Sequence, residues 1–342
     1  MVKKRSRKPV RRTRKPSSRS TGLHPAVMKM VGALAVLVLL VCSAGLLARH
    51  FLRNPPLEDV PPAVQLPLPP PKAPTAALPT ADEPRYEVFP DKTLPPKPLE
   101  KLPQLPGDHP PLVAIVIDDI GYDRQVTSQL LSLDAPLTFS ILPYGPRSQR
   151  IAAEAKTKGH EIMLHLPMEP KEFPDINPGP GALLSQMTPD ELIGQLNENL
   201  DRISGLKGVN NHMGSGLSTS PEQMRQIFSV LKKRGLYYID SRTTADTVAR
   251  SSAQLLHLPF AERDVFIDHL ENDKFIRGQL RLLIKRARHQ GYALGIAHPH
   301  AITYNILAEM LPELKQVVAL VPASTVVEAE MAAHKAATQA AR

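Results

Sequence analysis

Tryptophan is absent, cysteine occurs once, and aromatic residues make up 4% of the chain. A single cysteine, Cys42, excludes an intramolecular disulfide and any zinc site built on several thiolates. A metal in this protein has to be held by the twelve histidines and the carboxylates. Scarce aromatics leave no obvious stacking platform for a sugar ring. Acidic residues are missing from 1–53, where 13 Lys and Arg stand, and the remainder carries 29 basic against 33 acidic residues. The net charge of +9 is therefore a property of the N-terminus, and the slightly acidic body argues against a nucleic-acid partner for the main domain.

The basic tail, 1–29, is followed by an uncharged run over 30–48, long enough to cross a hydrocarbon core of about 30 Å. The charge asymmetry predicts a single-pass bacterial inner-membrane protein with its N-terminus in the cytoplasm and its main domain in the periplasm. Cys42-Ser43-Ala44 is a tolerable cleavage site, but the basic region is longer than a signal-peptide n-region. An uncleaved transmembrane anchor is therefore expected. Residues 49–111 read as a proline-rich disordered linker. Of the 36 prolines, 19 fall in 54–111, which favours polyproline II and a semi-rigid spacer reaching roughly 100 Å or more.

From residue 112 onward short β-rich runs alternate with helical patterns. Strands are expected at 112–118, 137–142, 161–166, 207–212, 236–240, 264–268, 292–298 and 316–321. Thr188-Pro189-Asp190-Glu191 and Ser220-Pro221-Glu222-Gln223 read as helix starts, and Gly159, Gly235 and Gly291 as helix stops. Within 272–290, Ile276, Leu280, Leu283, Ile284 and Ala287 share one helical face. Alternation of this kind predicts an α/β fold, a distorted β/α barrel over 112–330 with a C-terminal tail at 331–342. A Gly-rich dinucleotide loop after the first strand, which would favour an open sheet, is lacking.

Asp118 and Asp119, His165, His212, Asp240, Asp268 and His298 stand at the C-terminal ends of successive expected strands, where active sites of parallel β/α folds lie. Carboxylate and imidazole ligands with one position left for water suit a catalytic divalent metal, which acidifies its water and polarises a carbonyl for amide or ester hydrolysis. A non-ligating carboxylate can then take a proton, and a histidine opposite can protonate the leaving group. Adjacent Asp118 and Asp119 reach one site only if the chain turns there, and Gly121 permits that turn. Asp240 and Arg242 read either as a buried ion pair orienting a ligand or as the filling of a strand-end turn. Tyr122, Tyr144 and Tyr304 follow expected strands and can line a groove.

The segments IDDIGYD (117–123), GHEIMLHLPMEP (159–170), NNHMGS (210–215), YYIDSRT (237–243) and GIAHPH (295–300) resemble, in order, the motifs of the polysaccharide deacetylase superfamily and especially its divergent branch. The resemblance covers about 110–325. It implies a metal-dependent carbohydrate deacetylase that removes acetyl groups from an acetylated polysaccharide or peptidoglycan-type glycan, with one divalent ion, zinc foremost. On that resemblance Asp118 is the general base, His298 the general acid, and Asp119 and His165 metal ligands. The ordinary family places a second histidine four residues after the first; here that position is Glu169. The third ligand is then Glu169 or, preferred, His212, with Asn211, Asp240, Arg242 and Tyr144 supporting or binding substrate. The motif containing arginine, proline and an aromatic that shapes the substrate site is not recognisable. A catalytically inactive glycan-binding or cell-envelope regulatory protein that keeps the fold is the competing reading.

Overall fold

In the computed structural model Ser43 and residues 109–340 are described; the basic tail, the remainder of the expected span at 30–48 and the proline-rich linker up to 108 lie outside the described residues. Among the described residues no helix is long and apolar enough to cross a membrane. The folded part lies in the unit Ala76–Arg342.

Nine strands occur among the described residues: β1 (Leu112–Ile120), β2 (Thr138–Ile141), β3 (Glu161–Met168), β4 (Gly208–Met213), β5 (Tyr237–Asp240), β6 (Phe260–Glu262), β7 (Val265–Phe266), β8 (Tyr292–Ala297) and β9 (Ala319–Leu320). Helices α1 (Gln125–Leu130), α2 (Ser148–Thr157), α3 (Pro189–Asp201), α4 (Pro221–Lys233), α5 (Ala249–Leu256), α6 (Asp273–Gln290), α7 (Ala301–Val317) and α8 (Ala323–Ala340) intervene or follow. Every strand pairing is parallel, in the order β6-β5-β4-β3-β2-β1-β8-β7, with β9 added against β1.

The two ends of this ladder belong to one short segment. Its first half, β6, pairs with β5 and its second half, β7, pairs with β8. Between them the Arg263 N–H donates to Asp240 O and the Asp264 N–H to Leu294 O. The sheet therefore curls until a single bent segment spans both edges. This differs from the expected strand at 264–268, because the chain changes partner at 263–264 and a strand cannot pair continuously with both neighbours. The expected strand at 316–321 shrinks to β9, since α7 runs to Val317.

Alternation along the strands sorts side chains onto two faces. Val113, Ile115 and Ile117 of β1 face outward with Leu164, Val209 and Tyr238 into the layer shared with the helices. Ala114 and Val116 face inward with Met163, Tyr237, Ile239, Leu294 and Ile296, where Ala323, Val326 and Val327 of α8 fill the inner space. The floor of the barrel is thus a dry plug, and continuing the inner rows by two residues puts Asp118, His165 and His298 at its open, C-terminal mouth. Helix α8 runs on to Ala340, past the boundary expected at 330, and buried Glu330 accepts from Arg250.

The helix punctuation has its physical counterpart. Thr188 and Glu191 form a capping box at the start of α3, satisfying otherwise orphaned N–H groups. Gly291 ends α6 with φ of 91°, a left-handed conformation that costs other residues more. Ser220 precedes α4 without a side-chain cap, and Pro221 alone marks that start.

Candidate metal centre at the barrel mouth

Strand β1 supplies two adjacent carboxylates, and the backbone turns to aim both at the mouth. The turn begins at Asp119 itself, which adopts φ of 56°, and continues through Gly121, whose φ of 146° suits glycine as expected. The register with β2 shifts between Ile117 and Ile120, a bulge that re-aims a side chain. Gly121 also allows close approach, since a Cβ there would stand 2.6 Å from Ser148 Oγ and 3.3 Å from Gly145 Cα. Met213 and Arg242 also have positive φ, of 55° and 53°, next to the mouth ends of β4 and β5. Backbone strain gathers at the rim, as it does at functional sites.

Asp119, His165 and His212 present three ligand atoms to one another. Asp119 Oδ1 stands 3.1 Å from His165 Nε2 and 2.9 Å from His212 Nδ1, and the two ring nitrogens are 3.2 Å apart. A tetrahedral ion with bonds of 2.0–2.1 Å would set its ligands about 3.3 Å apart, close to this triangle. Asp119 Oδ1 is buried without a hydrogen-bond partner despite two nitrogens at contact distance. The three atoms lie close enough to share one ion, and an oxygen with two imidazole nitrogens is a donor set suited to a divalent ion of the zinc type. The three residues form a candidate metal group, all buried.

Asn210 of β4 ties the centre together. Its amide Nδ2 donates to both oxygens of Asp118, at 2.8 and 2.9 Å, and to Ser241 Oγ at 3.2 Å. Its Oδ1 accepts from His165 Nδ1 at 2.8 Å and from Ser140 Oγ at 2.5 Å. Because His165 Nδ1 carries the proton in that bond, Nε2 is left with its lone pair toward Asp119, the tautomer a ligand needs.

The two aspartates are driven apart electrostatically. Burial raises the pKa of Asp118, only partly offset by His165, His298 and the Asn210 amide. Burial also works against ionising Asp119, yet His212 and His165 hold its carboxyl well below the ordinary range. One carboxyl is held ionised and its neighbour is made more basic, a separation typical of acid–base pairs. Burial disfavours a charged His165, but Asp118 and Asp119 raise its pKa above the ordinary value.

His298, at the end of β8, stands across the mouth with Nε2 3.8 Å from Asp119 Oδ2. Asp268, following β7, accepts from His298 Nδ1 at 2.9 Å, from the His298 backbone N–H at 2.7 Å and from the Thr303 hydroxyl at 2.8 Å. Burial alone would lower the His298 pKa; Asp268, followed by Asp119 and Asp118, raises it to about 9. Replacing Asp268 with asparagine keeps an acceptor but removes the charge, so the imidazolium loses stability and its pKa falls. If protonated His298 is needed for turnover, the alkaline limb of the rate profile should move to lower pH by about one unit or more in Asp268→Asn. An unmoved limb in rate–pH profiles of the two proteins would exclude His298 as the acid.

Of the other residues singled out in the sequence, Asn211 lines the cleft, while Glu169, Tyr144, Asp240 and Arg242 do not. Glu169 accepts from the Ser185 N–H and hydroxyl, both at 2.7 Å, and holds the loop after β3; it is outside the candidate group, in which His212 stands beside Asp119 and His165. Tyr144 packs under the Arg202 guanidinium at 3.7 Å and donates to Glu198, away from the cleft. Asp240 and Arg242 form no side-chain ion pair. Asp240 accepts the Arg242 backbone N–H and the Thr247 hydroxyl, while the Arg242 guanidinium reaches Glu262 at 3.4 Å. This is the strand-end turn, on the outer face beside Tyr238. Asn211 accepts from Tyr238 and the Ser241 N–H and donates to Met213 O, supporting the β4–β5 rim. Tyr122 and Tyr304 do not line the cleft either.

The cleft above the centre has a volume of about 330 Å³ and is lined by the metal-ligand candidates, Asp118 and His298 together with Arg263, Phe266, His269, Leu270 and Glu271. Sequence reasoning missed Asn210, Arg263 and Phe266 as site residues. The period of two from His212 points to Asn210 rather than Asn211, and that signal was in the chain.

Fold and site together define a parallel β/α barrel with a candidate His-His-Asp metal centre at its C-terminal mouth. The chain belongs to the divergent polysaccharide deacetylase family, whose model matches residues 115–327. It is 32% identical over 213 residues to the uncharacterized protein YibQ of Escherichia coli K12, covering 62% of this chain and 66% of that protein, just under two thirds of its length. It is 29% identical over 209 residues to an uncharacterized protein of Haemophilus influenzae Rd, covering 61% of this chain and 74% of the relative. The crystal structure of an uncharacterized protein from Agrobacterium tumefaciens C58 is similar with a TM-score of 0.62 at 25% identity, over 66% of this chain and 93% of the other.

Proposed function

We propose that this protein is a membrane-anchored periplasmic hydrolase that removes acetyl groups from an acetylated cell-envelope polysaccharide of the peptidoglycan type. The observation that carries the reading is the meeting of Asp119, His165 and His212 at 2.9–3.2 Å with Asp118 and His298 beside them. Family membership supplies the substrate class, and the basic tail and apolar run over 30–48 supply the anchor and the side of the membrane.

A divalent ion, zinc foremost, would be held by Asp119 Oδ1, His165 Nε2 and His212 Nδ1, and would supply Lewis acidity toward the acetyl carbonyl and an acidified water. Asp118, ionised and oriented by the Asn210 amide, accepts the proton released when water adds to the carbonyl. His298 delivers a proton to the departing sugar nitrogen or oxygen, and Asp268 holds its ring in place with the proton on Nδ1 engaged. The apolar packing beneath leaves the cleft as the open side of the centre.

The test is acetate release by the purified protein from N-acetylated and O-acetylated glycans, with and without prior chelation. Release that disappears on chelation and returns with zinc is expected. No release from any acetylated glycan by the fully metal-loaded protein would overturn the reading in favour of a binding role for the same cleft.

A further inference from the structure

Arg263 lies at the point where the bent segment closes the barrel, and it is deeply set yet lines the cleft. Its Nε donates to Ser241 O at 2.6 Å and one Nη2 hydrogen to Arg242 O at 3.0 Å. Both partners are neutral carbonyls, and among the described residues no carboxylate lies within ion-pair distance of its guanidinium. The neighbouring interior arginines behave otherwise: Arg250 pairs with Glu262 and Glu330, and Arg242 with Glu262. A guanidinium has five N–H donors, so three remain, and they include both nitrogens of its terminal edge. Among the described residues Nη1 has no hydrogen-bond partner, and it is not one of the buried unpartnered atoms, so it opens to the cleft.

Desolvating a cation without a contacting counter-ion is costly unless something compensates; Asp240, Asp118 and Asp264 act on Arg263 only through space, and a fixed guanidinium edge left open in a cleft is shaped for a bidentate carboxylate. Burial and the nearby Arg242 charge lower the Arg263 pKa to about 10 against the opposing pull of Asp240, Asp118 and Asp264, which leaves it charged at neutral pH. The Phe266 ring fixes the guanidinium from one side, at 4.7 Å, and packs against His298 at 5.2 Å on the other. One ring therefore separates the unpaired cation from the residue across the metal centre.

We propose that Arg263 is a specificity-determining anion anchor, and that the substrate is an acidic glycan carrying a carboxylate, as a uronate or a lactyl ether, on or next to the acetylated sugar. The inference rests on the acetyl-glycan reading above and narrows it. Calorimetric binding is used alongside turnover so that the two can fail separately. Two oligosaccharides of equal length are compared on the zinc-loaded protein, one of neutral N-acetylhexosamine units and one in which alternate units carry a carboxylate.

The acidic oligosaccharide is expected to bind at least about tenfold more tightly, the contribution of one good charge-assisted hydrogen bond. In Arg263→Gln the ratio should fall to near unity, and Arg263→Lys should restore part of it. Equal affinity of the wild type for both oligosaccharides overturns the proposal whatever the variants do. So does a preference that survives in a folded Arg263→Gln protein. Acidic preference without acetate release from either sugar would sink the hydrolase reading and leave the anion anchor standing.

Discussion

His212→Ala is expected to lose its divalent ion while Glu169→Ala keeps it. His212 Nδ1 is 2.9 Å from Asp119 Oδ1 and 3.2 Å from His165 Nε2, whereas the Glu169 carboxylate is committed to Ser185. Removing a direct ligand should weaken binding by more than the ten- to hundredfold typical of outer-shell partners, so a loss of about a hundredfold or more is expected. Elemental analysis after dialysis, followed by competition with a chromogenic chelator, reads both variants. Near-stoichiometric metal in His212→Ala, or its loss only in Glu169→Ala, would move the third ligand to the loop after β3. Metal affinity should also fall in acid, because protons compete for the ligands and the His165 pKa is raised by its two aspartates.

Periodicity made the inner face of the barrel legible, and the alternation of β-rich and helical runs made its class legible. The expected strand starting at 112 coincides with β1, and Ile276, Leu280, Leu283, Ile284 and Ala287 all bury on α6. The partner change at 263–264 was not legible, because nothing local in Phe260–Phe266 records which neighbour each half will find. For the same reason nothing in the sequence singles out Arg263. Its meaning comes from which groups are missing around it in space. Asp240 and Asp118 looked alike as strand-end carboxylates, but one residue of register puts Asp240 on the outer face, where it fills its own turn. Asn210 and Asn211 differ by the same single step, and that step separates a residue inside the centre from one that braces the rim.

Asn210→Ala should be the most damaging single change outside the ligand set. The side chain is fully buried and holds Asp118, His165, Ser140 and Ser241 through one amide. Truncation leaves a buried carboxylate, a ring N–H and a hydroxyl without their partner, and each unsatisfied group costs about 1–3 kcal/mol, so a loss of about 3 kcal/mol or more in unfolding free energy is expected. His165 also loses the bond that fixes its tautomer, which should weaken metal binding by about ten- to hundredfold even though no ligand has been touched. Asn210→Asp separates the two effects. Its carboxylate can still accept from His165, but it replaces a donor to Asp118 with a second negative charge, so Asp118 should be pushed to a still higher pKa. Chemical denaturation at fixed pH and metal titration of both variants decide the matter. If Asn210→Ala unfolded at the wild-type denaturant concentration and bound metal with wild-type affinity, His165 would have to be oriented by Asp118 alone, whose Oδ2 lies 3.8 Å from its Nδ1.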